Sequence, residues 1–119
     1  MVLPIIVLIA LAIYCAFPHP THNQAQLEAI AADAEHLMAT HPLGPSDQSA
    51  DIPKGKWPPS IAKLEPYSVT VHHGMVDITT KPFFDGGWGY SFAPYKQDAT
   101  TLVECWSELE HGVYWHVPC

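Results

Sequence analysis

The sequence predicts an α+β domain preceded by an apolar helix. Three observations lead to this fold class. Residues Val2–Phe17 carry no charge, Asn23–Thr40 repeats apolar side chains every three to four positions, and Tyr67–Lys81 alternates β-branched with polar residues. The first repeat indicates an amphipathic helix, and the alternation indicates strands with one buried face. We therefore expect one long helix packed on a small antiparallel sheet of three to four strands.

The apolar run Val2–Phe17 predicts a membrane-targeting segment. As a helix it would cover roughly 24 Å, close to the shortest transmembrane spans. An uncleaved anchor is the favoured interpretation, and a cleaved signal peptide with the small-residue triplet Ala10-Leu11-Ala12 is the second. Lipidation of Cys15 is a third, although Tyr14 is bulky for the position before a lipidated cysteine. A buried helix is disfavoured because the remaining chain offers little apolar surface to cover it.

Residues 1–20 are thus assigned to an anchor or signal segment, and residues 21–119 to one small globular domain. The basic residues are all lysines and lie between Lys54 and Lys96. The positive-inside rule therefore gives no reason for the domain to stay in the cytoplasm. We expect a single-pass membrane protein whose domain lies outside the cytoplasm, in the periplasm or the extracellular space.

The long helix is predicted over Asn23–Thr40. Thr21 or Asn23 caps its start by accepting a hydrogen bond from a free backbone N–H, and the following prolines end it. Its apolar stripe consists of Leu27, Ile30, Ala31, Ala34, Leu37 and Met38. Residues 42–56 are polar and without periodicity, which predicts a flexible loop. Trp57–Leu64 is predicted to contain a short helical turn.

The strands follow. Tyr67–Lys81 is predicted to form a hairpin with its turn at His73-Gly74. The four β-branched residues that this register places on one face are Val69, Val71, Val76 and Ile78. Gly87–Ala93 predicts a third strand. Asp98–His111 has helical spacing, with a strand over Leu102–Ser107 as the alternative, and Val113–Val117 predicts a terminal strand.

The net charge of the chain limits the classes of partner that it can bind. The net charge is −7 and there is no arginine, which argues against nucleic-acid binding because a phosphate backbone requires a basic patch. The same charge disfavours contact of the domain with an anionic leaflet. The expected partners are the lipid bilayer, through Val2–Phe17, and another envelope protein. No cofactor is expected, since Gly86-Gly87-Trp88-Gly89 lacks the lysine and the following helix of a phosphate-binding loop.

The three cysteines allow one disulfide and one remaining thiol. Cys105 and Cys119 form the candidate pair, with two free thiols as the open alternative. In an oxidising compartment the bridge would contribute roughly 3 kcal/mol by closing its loop in the unfolded chain. Cys15 is interpreted as a small hydrophobic residue.

No catalytic or metal-binding residue is predicted. Of the eight histidines, only the fold can bring His72, His111 and His116 together. Cys105, with His111 six residues further on, is interpreted as structural, and no nucleophile motif occurs. The acidic residues that a fold might pair are Asp77, Asp85 and Glu104, but in an acidic chain such residues usually form a solvated surface.

An aromatic row provides the one candidate binding surface. Trp88, Tyr90 and Phe92 share a face of the third strand, and Trp115 lies on the last strand. Such rings can stack against a sugar or a peptide. Packing in the core is the simpler interpretation of the same pattern.

Several short motifs follow one another along Ile52–Val117. They are Trp57-Pro58-Pro59-Ser60-Ile61, Val69-x-Val71, Gly74-Met75-Val76, Gly87-Trp88-Gly89 and Gly112-Val113-Tyr114-Trp115. With them the chain resembles small bacterial proteins that are exported or membrane-tethered and end in a G-V-Y-W motif. The resemblance implies export or tethering. It implies no functional residue, because no activity is assigned to those proteins.

The favoured functional hypothesis is a non-enzymatic, membrane-anchored envelope protein whose domain binds another protein through an aromatic or acidic surface. The first alternative is a small histidine-dependent metal-binding module or enzyme. The second is a secreted soluble domain released by signal cleavage.

Overall fold

The structure, a computed structural model, describes residues 2–84, 86–95 and 105–119. Its helices are α1 (Val2–Ala16), α2 (Gln24–Thr40) and α3 (Pro59–Ala62), with a short 3-10 helix at Lys54–Lys56. Its strands are β1 (Ser49–Asp51), β2 (Ser68–His72), β3 (Met75–Phe83), β4 (Gly86–Phe92), β5 (Trp106–Glu110) and β6 (Val113–His116).

The described residues form one antiparallel sheet of six strands in the order β1-β2-β3-β4-β6-β5. The predicted α+β class and the antiparallel sheet are confirmed. The predicted number of three to four strands is wrong: β1 was not expected, and β5 corresponds only in part to the strand over Leu102–Ser107 that was the alternative to a helix. The strand predicted to close the sheet, β6, lies inside it between β4 and β5.

Helix α2 covers one face of the sheet and forms the core with it. Asn23 caps the helix, since its Oδ1 accepts a hydrogen bond of 2.9 Å from the backbone N–H of Gln26. The residues that the helix buries are Leu27, Ile30, Ala34 and Leu37. All four belong to the predicted stripe, so its interpretation as a core-facing surface is confirmed.

The hairpin of β2 and β3 has the predicted register. Val71 pairs with Val76 and Val69 pairs with Ile78, and all four side chains are buried in the core that the sheet shares with α2. Gly74 has a positive φ of 76° in the turn, a conformation that costs glycine little. The turn and the face of the sheet were therefore both readable from sequence.

The predicted helix over Asp98–His111 is wrong where the structure describes it. Trp106–Glu110 is strand β5, which pairs with β6 across a turn in which Gly112 has a φ of 80°. A strand can satisfy its backbone groups on a neighbour already in place, and this tertiary pairing overrides helical spacing. Asp98, Leu102 and Val103, which the prediction also used, lie outside the described residues.

The segment 42–56 also differs from its prediction as a loop. It contains the three-residue strand β1, whose Ala50 pairs with Val71, and the 3-10 helix at Lys54–Lys56. Ile52 follows β1 and is buried in the core. Three residues are too few to show an alternation, so the sequence carried no signal for this strand.

The apolar helix α1 stands apart from the core. The exposed fractions of its large side chains between Ile5 and Ile13 range from 51% to 65%. The alternative of a buried helix is therefore wrong. Among the described residues, no helix is at once long enough and apolar enough to cross a membrane.

The aromatic row is mostly core. Tyr90, Phe92 and Trp115 are at most 7% exposed and pack beneath α2, and Trp88 is half-buried. The rings of Tyr90 and Trp115 meet edge to face with their centroids 5.1 Å apart. The prediction of a binding surface made of these four residues is therefore wrong for three of them, because α2 occupies the face on which they lie.

Candidate functional site

The face of the sheet opposite α2 carries polar and aromatic side chains from five strands. Successive residues of a strand point to opposite faces, so the residues that alternate with the core residues along each strand lie here. We call this surface the polar face, and its members are Thr70, His72, Met75, Asp77, Thr79, Ser91, Trp106, Glu108, Tyr114 and His116.

A buried ion pair lies at the centre of the polar face. The Nε2 atom of His116 is 2.8 Å from Oδ1 of Asp77. Asp77 also accepts hydrogen bonds from the hydroxyl groups of Ser91, at 2.9 Å, and Thr79, at 3.1 Å. The second ring nitrogen of His116, Nδ1, is 2.8 Å from the carbonyl oxygen of Gly87. Every polar atom of the pair therefore has a partner.

This arrangement determines the protonation of His116. The carbonyl of Gly87 and the carboxylate of Asp77 can only accept, so both ring nitrogens must donate. An imidazole that donates from both nitrogens carries a positive charge. Below its raised pKa, His116 is thus an imidazolium opposite an ionised Asp77.

The pKa shifts agree with that assignment. Burial alone would lower the pKa of His116, but the hydrogen bond and charge of Asp77, with the Gly87 carbonyl, raise it above 6.5. Burial alone would raise the pKa of Asp77. The hydrogen bond and charge of His116, then the hydroxyls of Ser91 and Thr79, outweigh burial and hold that pKa below 3.8.

Glycines in β4 allow the pair to form across three strands. Asp77 lies opposite Ser91, and His116 lies opposite Gly89. A Cβ atom at Gly89 would collide with the carbonyl of Ile78. A Cβ atom at Gly87, whose φ is 149°, would likewise collide with the carbonyl of Lys81. The close approach of β3 to β4 therefore requires glycine at both positions.

A cavity of about 220 Å³ opens beside the ion pair. Met75, Asp77, Trp106 and His116 line it together with the Cys105–Cys119 pair. The ring of Trp106 lies 5.9 Å from that of His116 and 5.5 Å from that of Tyr114. The cavity has the size of one large side chain and is lined by polarisable sulfur atoms, an aromatic ring and the edge of an ion pair.

Cys105 and Cys119 are joined as a disulfide beside this cavity, with their Cα atoms 5.8 Å apart. The backbone N–H of Val117 donates to the carbonyl of Cys105 at 3.0 Å. Both links tie the residue before β5 to the segment that follows β6. The bridge thus holds Trp106, the next residue after Cys105, at the rim of the cavity.

The other candidate histidines are not brought together with His116. His72 ends β2 beside the hairpin turn, and His111 is exposed in the turn between β5 and β6. The Nε2 atom of His73 lies 2.6 Å from the carbonyl oxygen of Asp47. In the described ranges, no group of three His, Cys, Asp or Glu residues has a geometry that could hold a metal ion. Asp85 and Glu104 lie outside those ranges.

A second notable surface lies where the sheet meets the end of α1. The ring of Phe17 is 5.6 Å from that of Trp88, Trp88 is 5.7 Å from Phe83, and Phe83 is 4.6 Å from Phe84. We call these four residues the aromatic edge. Phe84 is 93% exposed and has a φ of 51°.

Sequence reasoning missed both surfaces. Asp77 and His116 are 39 positions apart, and each was considered separately, as a carboxylate and as a metal ligand. The available signal was strand alternation, which places each of them opposite the apolar face of its strand. Two consecutive phenylalanines, Phe83 and Phe84, shortly before the glycine-rich run Gly86-Gly87-Trp88-Gly89 were the available signal for the aromatic edge.

No relative supplies a function for either surface. Comparisons of the chain with protein-family models, with curated proteins and with solved structures gave no match. The resemblance over Ile52–Val117 to small exported bacterial proteins therefore stays a prediction.

Proposed function

We propose that this chain is a non-enzymatic, membrane-anchored envelope protein. In this proposal α1 inserts into the bilayer, and the α+β domain lies outside the cytoplasm and binds another protein through its polar face. The observation that carries the proposal is the exposure of α1. Between Ile5 and Ile13 its large apolar side chains are more than half exposed, and an uncharged helix that is apolar all round requires an apolar environment.

The pairing of Cys105 with Cys119 supports the proposed side of the membrane. Structural disulfides persist in oxidising compartments and are rare in the cytosol. The bridge lies in the domain, at its cavity. A domain kept in the periplasm or the extracellular space would retain it.

The state of His116 supports a binding role over an enzymatic one. Both of its ring nitrogens are engaged as donors, so neither has a lone pair for a metal ion or for a substrate proton. Ser91 is fully buried, so its hydroxyl, which donates to Asp77, is out of reach of a substrate. The ion pair is therefore interpreted as a rigid support for the surface around it.

The cavity supports a protein as the ligand of the polar face. Its volume of about 220 Å³ is below the roughly 300–1,000 Å³ typical of small-molecule sites. It suits one inserted side chain, and aromatic anchors such as Trp106 are typical of the centre of protein interfaces. Glu108 lies two residues after Trp106 in β5, on the same face of the sheet, and is exposed. It would favour a basic partner residue at the rim of the cavity.

Flotation of the full chain with phosphatidylcholine vesicles tests the anchor. The chain should float with the vesicles, and Ile9→Glu should shift most of it to the soluble fraction, because a carboxylate in hydrocarbon is costly. Ala29→Glu is the matched control, since it adds the same charge at an exposed position of α2. An unmodified chain that stays with the soluble fraction would overturn the anchor.

Photo-crosslinking in native membranes tests the binding surface. A photoreactive residue in place of Glu108 should give a discrete protein adduct, and one in place of Glu35, exposed on α2 on the other side of the sheet, should not. Asp77→Ala should weaken the first adduct by loosening the support of the polar face. Equal adducts from both positions would contradict a specific interface on this face.

A further inference from the structure

We propose that the aromatic edge of Phe17, Phe83, Phe84 and Trp88 enters the interfacial layer of the bilayer beside α1. The domain would then be held edge-on by two contacts, with the end of β3 and the start of β4 against the membrane. This inference rests on the proposed anchoring by α1. It adds a second lipid-binding site, located in the domain itself, and an orientation of the sheet relative to the membrane.

The first argument is continuity with α1. Phe17 directly follows Ala16, the last residue of the helix, and a chain of ring contacts leads from it through Trp88 and Phe83 to Phe84. The backbone N–H of Thr21 donates to the hydroxyl of Tyr90 at 2.7 Å, which fixes the connecting segment to β4. Whatever surrounds the end of α1 therefore also reaches these rings.

The second argument is the length of α1. Its fifteen residues cover roughly 22 Å, which is less than the about 30 Å of a bilayer's hydrocarbon core. A helix this short draws its flanking residues toward the hydrocarbon boundary. Phe17 and the rings attached to it are the flanking residues on the side of the domain.

The third argument is the state of Phe84. Its ring is 93% exposed and its backbone has a φ of 51°, a conformation unfavourable for a bulky residue. Within the described residues its ring contacts Phe83, and this gives little burial in return. Backbone strain that presents an apolar ring to the outside suggests an external contact.

The fourth argument concerns the chemistry of the occupant. A tryptophan with a nearby lysine is typical of the layer between headgroups and hydrocarbon, and phenylalanine is typical of the apolar side of membrane-surface segments. The Nζ atom of Lys81 lies 5.6 Å from the centre of the Trp88 ring, where it can reach a phosphate while the ring stays in an apolar layer. A lipid surface therefore matches the edge in apolar character, and it is already adjacent through α1.

The test uses the full chain in phosphatidylcholine vesicles. Phe84 is replaced by p-benzoylphenylalanine, and Tyr95 is replaced in a matched control, since both positions are exposed. They lie beyond opposite ends of the seven-residue strand β4, roughly 23 Å apart along it. After illumination, the mass of the protein shows whether a lipid has been added.

The proposal expects lipid adducts from position 84 at several times the yield from position 95. Equal yields, or protein–protein adducts from position 84, would overturn the edge-on contact. A floating chain that gives no lipid adduct at position 84 would overturn this inference and leave the anchor by α1 intact. A chain that fails to float at all would overturn the anchor itself, so the two failures are distinguishable.

Discussion

His116 and Asp77 form an ion pair that crosses β4, with Nε2 of the histidine 2.8 Å from Oδ1 of the aspartate. The pair links β3 to β6, which are not neighbours in the sheet. Only a tenth of the His116 side chain is exposed, against 27% for Asp77. The pair therefore joins the two halves of the sheet in a largely dry environment, where an unpaired charge would be costly.

The pair should give the domain a pH-dependent stability. Because the pKa of His116 is raised by folding, its contribution is complete below pH 6.5 and is lost as the pH rises through the higher folded value. Because the pKa of Asp77 is lowered, its contribution is complete above pH 3.8 and is lost as the pH falls through the lower folded value. Stabilisation by the pair should therefore be greatest between pH 3.8 and 6.5.

Asp77→Asn checks this pH dependence in urea unfolding followed from mildly acidic to alkaline pH. The variant should lose about 2–4 kcal/mol of stability at mildly acidic pH and progressively less as the pH rises, as the pair also weakens in the unmodified protein. Asp51→Asn is the control, since Asp51 is exposed and accepts a hydrogen bond from Thr70. Parallel stability curves for Asp77→Asn and the unmodified chain would contradict the ion pair.

The Cys105–Cys119 bridge should stabilise the domain by restricting the conformations of the unfolded chain. The bridge closes a loop with a sequence separation of 14, for which the chain-entropy model gives about 3 kcal/mol. Replacing both cysteines by serine should lower the free energy of unfolding by about that amount. A reducing agent should have the same effect on the unmodified chain and none on the double variant. Insensitivity of the unmodified chain to reduction would show that the bridge is absent.

The aromatic row should behave as core. Trp115 is 7% exposed and packs edge to face against Tyr90, so Trp115→Ala should cost about 3–5 kcal/mol. Tyr95→Ala, at a ring that is 63% exposed, should change the stability by less than about 0.5 kcal/mol. Thermal unfolding of both variants checks this. A small loss for Trp115→Ala would favour a role of Trp115 in a binding surface.

The elements predictable from sequence are those whose buried face follows from a periodic pattern of apolar residues within one segment. The stripe of α2 and the register of Val69–Ile78 both follow from periodic contacts with one surface. The class of the fold follows from them. The face on which Tyr90 and Trp115 lie was equally readable, and their burial agrees with core packing, the simpler of the two interpretations of the aromatic row.

The remainder depends on contacts between distant segments. Strand β5 exists because β6 is available to pair with Trp106–Glu110, whereas the local pattern left a helix and a strand both open. The Asp77–His116 pair requires the order of β3, β4 and β6 in the sheet. The aromatic edge requires Phe17 to return to Trp88, 71 positions further along the chain. Sequence reasoning named most of these residues and could not place them together.

Phe84 should show a conflict between stability and membrane contact. Its φ of 51° is unfavourable for a bulky residue, and glycine adopts it with little strain. Allowing for the greater flexibility of glycine in the unfolded chain, Phe84→Gly should stabilise the domain in water by about 0.5 kcal/mol. In vesicles the same variant should lose a lipid contact, so Trp88, which packs beside it through Phe83, should become more accessible to an aqueous quencher.

Glu65→Gly is the control for this variant. Glu65 also has a positive φ, of 49°, and it lies outside the aromatic edge, so its replacement should stabilise the domain similarly and leave Trp88 quenching unchanged. Tyr67→Gly, at an exposed ring with an ordinary φ, should instead destabilise the domain by about 0.5–1 kcal/mol. Unfolding in urea reports the effect of the backbone conformation on stability. Quenching in vesicles reports whether the aromatic ring contacts the lipid. Unchanged quenching for Phe84→Gly would mean that its exposed ring does not reach the lipid, and that the strain at this position has another cause.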